Sequence, residues 1–151
     1  QVFSMSSEQL AALPLRPALL GYVLGGCEWA KSQPSLMRLF AKAAYGSDPA
    51  LSERLVRPVA ILMRQMVHSI LEGAQARGEL REDVDLDAAA TIVHALTVVV
   101  SDTRLLPHLD AYFLVGRTSR ALEGSLDAAI TLIEHGIGAT KNERRARTRA
   151  K

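Results

Sequence analysis

The side chains best suited to chemistry at neutral pH in this chain are four histidines, one cysteine and several arginines. His68, His94, His108 and His135 never pair at i, i+4, the spacing that puts two imidazoles on one helix face, and there is no His-Glu-x-x-His run. Cys27 is the single cysteine and has no metal partner near it in the sequence. A metal site is therefore not expected. A nucleophile elbow, a Walker glycine loop and a dinucleotide-binding glycine fingerprint are all missing from the sequence. The stretch "GGCEW" could hold an activated thiol only with a base that nothing in the sequence identifies. A small residue packed between helices accounts for it better. Neither an enzyme nor a cofactor is expected.

What remains is binding chemistry. Tyr22, Trp29, Met37, Phe40, Tyr45, Met63 and Met66 are large or adaptable side chains on segments expected to be helices facing one another. Methionines fill irregular gaps and suit variable apolar ligands. Cavities between bundled helices have such walls with a few polar groups. The competing reading of each residue is ordinary core packing. His94, with apolar neighbours, reads first as a hydrogen-bonded core or interface histidine and second as a ligand contact. Arg54, Arg57 and Arg64 lie on one segment. They suit an anionic ligand, or they are solvated and paired with acids such as Glu53.

These residues need positioning elements, and the sequence supplies helices. With 151 residues, 48% apolar and 23% charged, the chain fits one globular domain with a real core. Aromatics are only 5%, so aliphatic side chains carry the packing. One cysteine permits no internal disulfide and fits a reducing, cytoplasmic setting. The longest apolar runs, "PALLGYVLGGC" and "ATIVHALTVVV", are much shorter than the ~20 residues a membrane helix needs, so no membrane partner is expected. No signal peptide is legible.

Residues 1–15 read as an irregular linker, with two prolines in "LPLRP". A helix is expected from Pro17, carrying Gly21, Gly25 and Gly26. Glycine is poor in a helix interior, so these three imply close approach of another backbone or room for a ligand. In "QPSLMRLFAKAAYGS", Leu36, Leu39, Phe40 and Ala43 share a face. Asp48 and Pro49 form a start signal. The long helix that follows has a stripe of Leu51, Leu55, Val59, Leu62, Met66 and Ile70, flanked by Val56, Met63, Val67 and Leu71. Pro58 predicts a kink or break there.

The segment "ARGELREDVDLD" punctuates two helices. Gly78 suits a left-handed helix end. Arg77 suits the negative end of its own helix, and Asp83, Asp85 and Asp87 are candidate caps for the next. That helix runs from about Asp87 to Thr103 with Ala88, Ala89, Ile92, Leu96 and Val99 on one face, widened by Val93 and Val100. A short helix is expected after Pro107. The final helix, "RTSRALEGSLDAAITLIEHGIG", carries Leu122, Leu126, Ala129, Ile130, Ile133 and Ile137. The tail "KNERRARTRAK" has six basic residues and one acidic, so the rest of the chain carries a net −3 within a total of +2. Residues 139–151 read as a basic, disordered tail, with contact to nucleic acid or an acidic partner as the other option.

The long helix ending "EGAQARGELREDVD", the alanine-rich "LDAAATIVHALTVVV" and the last helix "LEGSLDAAITLIEHGIG" together resemble the C-terminal half of tetracycline-repressor (TetR) family transcriptional regulators. The resemblance is best over residues 48–138 and less specific over 16–46. It implies an all-α helical bundle. Residues 16–138 would form a ligand-binding and dimerisation domain, with helices 87–103 and 118–138 pairing with their copies as a four-helix bundle. Ile92, Leu96, Val99, Leu122, Leu126, Ile130 and Ile133 are then the expected homodimer interface. It also implies a small, mostly apolar effector, with the helix at 59–76 lining the cavity. Operator DNA would be held by an N-terminal helix-turn-helix that is not among these residues. The first residue, Gln1, fits a head lying upstream, and the arginines could also link to it. The alternative is a stand-alone helical dimer acting as a protein-interaction module without DNA binding.

Overall fold

The computed structural model describes residues 5–106, 109, 111–112 and 121–139. The basic tail from Lys141, His108 and the side chain of Leu122 lie outside the described residues. The architecture is all-α. Helix α1 spans Ser7–Ala12, α2 Leu15–Ser32, α3 Pro34–Tyr45 and α4 Pro49–Leu51. A π-helical segment, Ser52–Val56, joins α4 to α5, Arg57–Ala76. Then come α6, Leu86–Leu105, and α7, Ala121–Ile137. Of the stretch after Pro107, Leu109, Ala111 and Tyr112 are described, and all three are helical.

The first difference from expectation is α1, inside a stretch read as irregular. Ser6 caps it: its hydroxyl accepts the Gln9 N–H at 3.2 Å, while the Gln9 side chain accepts the Ser6 N–H at 2.8 Å. This reciprocal capping box satisfies two amides that would otherwise lack partners at the helix start. The expected disturbance at Pro58 takes the form of the π segment. The Arg57 N–H reaches back five residues to the Ser52 carbonyl. Widening the helix here accommodates a proline that has no N–H to give and whose ring crowds the preceding turn. The helix continues without breaking.

The opposite end of α5 closes as the sequence predicts. Gly78 has φ 76°. The Glu79 N–H bonds the Ala74 carbonyl and the Gly78 N–H bonds the Gln75 carbonyl, each at 2.9 Å. That pair of bonds is the Schellman closure. Of the three candidate caps for α6, Asp85 does the work, accepting from the amides of Asp87 and Ala88 at 3.0 Å.

Arg77 does not serve its own helix. Its guanidinium donates to the carbonyls of Ala11, at 2.6 Å, and Leu13, satisfying the end of α1. Glu79 accepts the Leu15 N–H at 2.7 Å and the Arg77 Nε–H at 2.6 Å. One ion pair thus caps the end of α1 and the start of α2 together. Gly73 permits this approach, because a Cβ there would sit 2.3 Å from the Ala11 carbonyl oxygen. The same turn meets the end of α7: the Ala139 N–H bonds the Glu79 carbonyl at 2.7 Å and the Arg81 N–H bonds the Ile137 carbonyl at 3.1 Å. Leu80 and Gly138 form an isolated antiparallel bridge there. Arg16 ties α2 to α7, donating to Glu134 at 2.7 Å, to Thr131 at 2.9 Å and to Asp127.

The core lies where α2, α5, α6 and α7 meet. Leu19, Val23, Val67, Ile70, Leu71, Leu80, Leu126 and Ile130 are fully buried. Each such side chain stabilises the fold by about 1.5–3 kcal/mol relative to exposure. On α5 the buried set is Val67, Ile70, Leu71 and Ala74, whereas Leu62, expected on the buried stripe, is exposed.

Candidate functional site

α2 crosses α6 through a polar contact set in apolar surroundings. The Tyr22 hydroxyl lies 3.3 Å from His94 Nδ1. Thr97, one turn beyond His94, donates to the His94 carbonyl at 2.8 Å. Tyr22 and Thr97 are buried. Burial pushes the Tyr22 phenol up to about 12, so it stays protonated. His94 is held below its ordinary 6.5, first by burial and then by the nearby charge of Arg64. A neutral ring at pH 7 lets Nδ1 accept the Tyr22 proton. Met63 and Met66 of α5 pack against the same core cluster that includes Tyr22.

Beyond Tyr22, the same face of α2 is open. Tyr22, Gly25, Gly26 and Trp29 recur at i, i+3, i+4 and i+7, which places them on one side of the helix. A Cβ added at Gly25 or Gly26 would meet no described atom within 4 Å. These two glycines therefore do not admit a neighbouring helix among the described residues; they leave this face of α2 open. Trp29, 51% exposed, stands at its far end. The Tyr22–His94 contact stands at the near end.

Of the expected ligand-binding set, the structure places Tyr22 in the core cluster and Met63 and Met66 against that cluster. Met37, Phe40 and Tyr45 are placed elsewhere, on α3, which packs chiefly against the π segment. Met37 and Phe40 are half-buried, and Tyr45 is exposed, its hydroxyl donating to Asp102 on α6. Burial raises both the Tyr45 phenol and the Asp102 carboxyl. Thr97 is not among the residues read from the sequence, whereas His94 reads there first as a hydrogen-bonded core or interface histidine, and it bonds Tyr22. The spacing of three between His94 and Thr97, on one helix face, was the available signal for Thr97.

The arginines follow the electrostatic alternative. Arg57 pairs with Glu53 at 2.7 Å on exposed helix surface. Arg64 pairs with Asp87 at 3.0 Å, and His68 lies 3.9 Å from the same carboxylate.

The expected dimer residues divide. Ile92, 61% exposed, and Leu96 point outward from α6, with Val99 half-buried beside them. Leu126, Ile130 and Ile133 do not: they are buried in this chain's own core and are corrected out of the interface. The α7 stripe is real, but it closes the monomer. The opposite face of α7 carries Gly124, Ala128 and Leu132, the last 73% exposed.

A family model described as "Tetracyclin repressor-like, C-terminal domain" matches residues 15–113. The chain belongs to the TetR-like C-terminal domain family. The match starts at the first residue of α2 and takes in its open face, the Tyr22–His94 contact and all of α6. It covers residues 16–46, where the resemblance is less specific, and stops short of α7. No curated protein and no solved structure matches the chain significantly. None of the described helices of this TetR-like domain is long and apolar enough to cross a membrane.

Proposed function

We propose that this domain is the ligand-sensing and dimerisation part of a TetR-family transcriptional repressor. Domains of the family are generally the ligand-binding part of regulators. The observation that carries the reading is the open face of α2 beside Gly25 and Gly26, which runs from the contact between buried Tyr22 and His94 to an exposed indole. On this reading an apolar body lies along that face, with one polar group at its Tyr22–His94 end. The homodimer would form through the outward faces of α6 and α7, with Ile92, Leu96 and Leu132 as anchors. Exposed aliphatic side chains on neighbouring helices are what a four-helix bundle between two copies needs. An effector that binds one arrangement of these helices better shifts the dimer toward the form that releases operator DNA, and the shift is limited by that difference in affinity. The DNA-reading head would belong to the whole cytoplasmic regulator.

Gly25→Leu tests the reading. Leucine improves helix propensity and its Cβ meets no described atom within 4 Å, so the thermal midpoint is expected to stay or rise. The side chain covers the open face, so small apolar molecules that shift Trp29 emission in the wild type lose their effect. Unchanged binding in a folded Gly25→Leu protein would place the effector elsewhere.

A further inference from the structure

We propose that the Arg77–Glu79 ion pair is a coupling joint: it links the end of α7 to α1, so that a displacement of α7 is delivered to α1. Its functional meaning rests on the proposed dimerisation role of α6 and α7, since a change in how two copies meet is felt at α7. Within the turn "ARGELREDVDLD", Gly78 closes α5 and Asp85 caps α6. Arg77 and Glu79 are turned to other helices instead.

α1 cannot fix its own position. It has six residues, too few for a helix that is stable alone, and Leu10 is its one buried side chain. The carbonyls at its end lack partners within the helix, and Arg77 supplies them. Nη1 donates to Ala11 at 2.6 Å, Nη2 to Leu13, and Nε to Glu79 at 2.6 Å. All three guanidinium nitrogens are engaged, so the planar group cannot shift toward one partner without leaving another. Glu79 holds the other side. Its second oxygen accepts the Leu15 N–H at 2.7 Å, where Pro14 at the start of α2 offers no side-chain cap. Its backbone carbonyl accepts the Ala139 N–H at 2.7 Å, and the Arg81 N–H bonds the Ile137 carbonyl at 3.1 Å. Leu80, between them, is fully buried. Glu79 is thus bonded to the end of α7 through its backbone, and to α2 and, by way of Arg77, to α1 through its side chain. Both side chains of the pair are mostly withdrawn from solvent, so the pair is less screened than one on open surface. The Arg16 tie is a separate route, from α7 to α2.

Amide exchange tests the joint without effector or DNA, so its failure would leave the proposed function standing. Ala139→Pro removes the N–H that bonds Glu79. The amides of Leu10 and Leu13, bonded to the Ser6 and Leu10 carbonyls, are then expected to exchange about fivefold or more faster, while Leu71 in the core is unchanged. In an Arg77→Gln background the same proline has no further effect on α1, the non-additivity of residues that act as one unit. Coupling is reciprocal. Arg77→Lys keeps the charge but not the three-way fork, and it speeds exchange of the Ala139 amide; this arm decides the matter if the proline variant does not fold. Exchange in α1 unmoved by Ala139→Pro, or moved equally with and without Arg77, would overturn the coupling and leave the pair as a local cap. So would an Ala139 amide unmoved by Arg77→Lys. Leu71 accelerated by the same factor as Leu10 would mean a general loss of stability, and would overturn it too.

Discussion

The two ends of α2 are built on different principles. At its start, α2 is held by a dense set of polar ties. Glu79 caps Leu15, Arg77 closes α1, and Arg16 reaches Asp127, Thr131 and Glu134 on α7. Beneath these ties lie Leu15, Leu19, Leu80 and Ile130, all buried. At its other end, α2 carries an open glycine face and an exposed Trp29. Next to it α3 leaves Leu36, Leu39 and Tyr45 exposed and buries Ala43 alone. On the proposed function, the contrast separates two jobs. Segments that must respond to a ligand come from the less stable parts of a fold, and the parts that transmit the response must be stiff. The tied end also holds α1, the segment that leads toward the start of the chain.

The sharpest way to break this contrast is Leu80→Ala. Leu80 is fully buried in the turn between α5 and α6 and bridges Gly138 at the end of α7. Truncation removes transfer energy and leaves a cavity at the junction, for a cost of about 2–5 kcal/mol by urea unfolding. A loss below about 1 kcal/mol, the size of a typical surface change, would mean that the tied end is not where stability is concentrated.

Gly73→Ala is smaller in size but decisive in sign. In an ordinary helix interior this change stabilises by up to about 1 kcal/mol. Here the new methyl would meet the Ala11 carbonyl oxygen at 2.3 Å and the Arg77 guanidinium at 3.2 Å. Backbone must move, so a loss of about 1–3 kcal/mol is expected, with faster amide exchange in α1. A stabilised variant would show that α1 does not pack on α5 as described.

The same contrast explains what the sequence made legible. Local signals were readable because both partners lie within one turn: Gly78, the Asp85 cap and the disturbance at Pro58. The Ser6–Gln9 capping box was equally local, and the prolines of "LPLRP" masked it. The Arg77–Glu79 ties were not readable, because their partners at Ala11, Leu13 and Leu15 lie more than 60 residues away. Gly73 carried no sign of the carbonyl it faces, while Gly25 and Gly26 suggested a close approach that the described residues do not make. Periodicity found the α7 stripe of Leu126, Ile130 and Ile133, but a stripe shows only that a face is buried. Whether its partner is the same chain or a second copy depends on where α2 and α5 sit. In the ligand-binding set, Tyr22 lies in the core cluster, with Met63 and Met66 packed against that cluster, because two long helices with wide apolar faces must meet. Met37, Phe40 and Tyr45 depended on the placement of α3, which follows from the π segment and not from its own stripe.

The smallest expected effect is the most informative about α3. Its stripe of Leu36, Leu39 and Phe40 reads as a core-facing surface, and in a packed helix Leu39→Ser would cost several kcal/mol. In this structure Leu39 is exposed and α3 contributes only Ala43 to the buried set. Leu39→Ser is therefore expected to change unfolding stability by no more than about 0.5 kcal/mol. Amide exchange should separate the two ends even in the wild type, with α3 exchanging through local opening and the Leu71 and Leu80 region only through global unfolding. Serine at 39 should leave that pattern intact. If it instead cost as much as Leu80→Ala, α3 would be part of the core in solution. The contrast between a tied end and a loose end would then have to be abandoned in favour of a uniformly packed bundle.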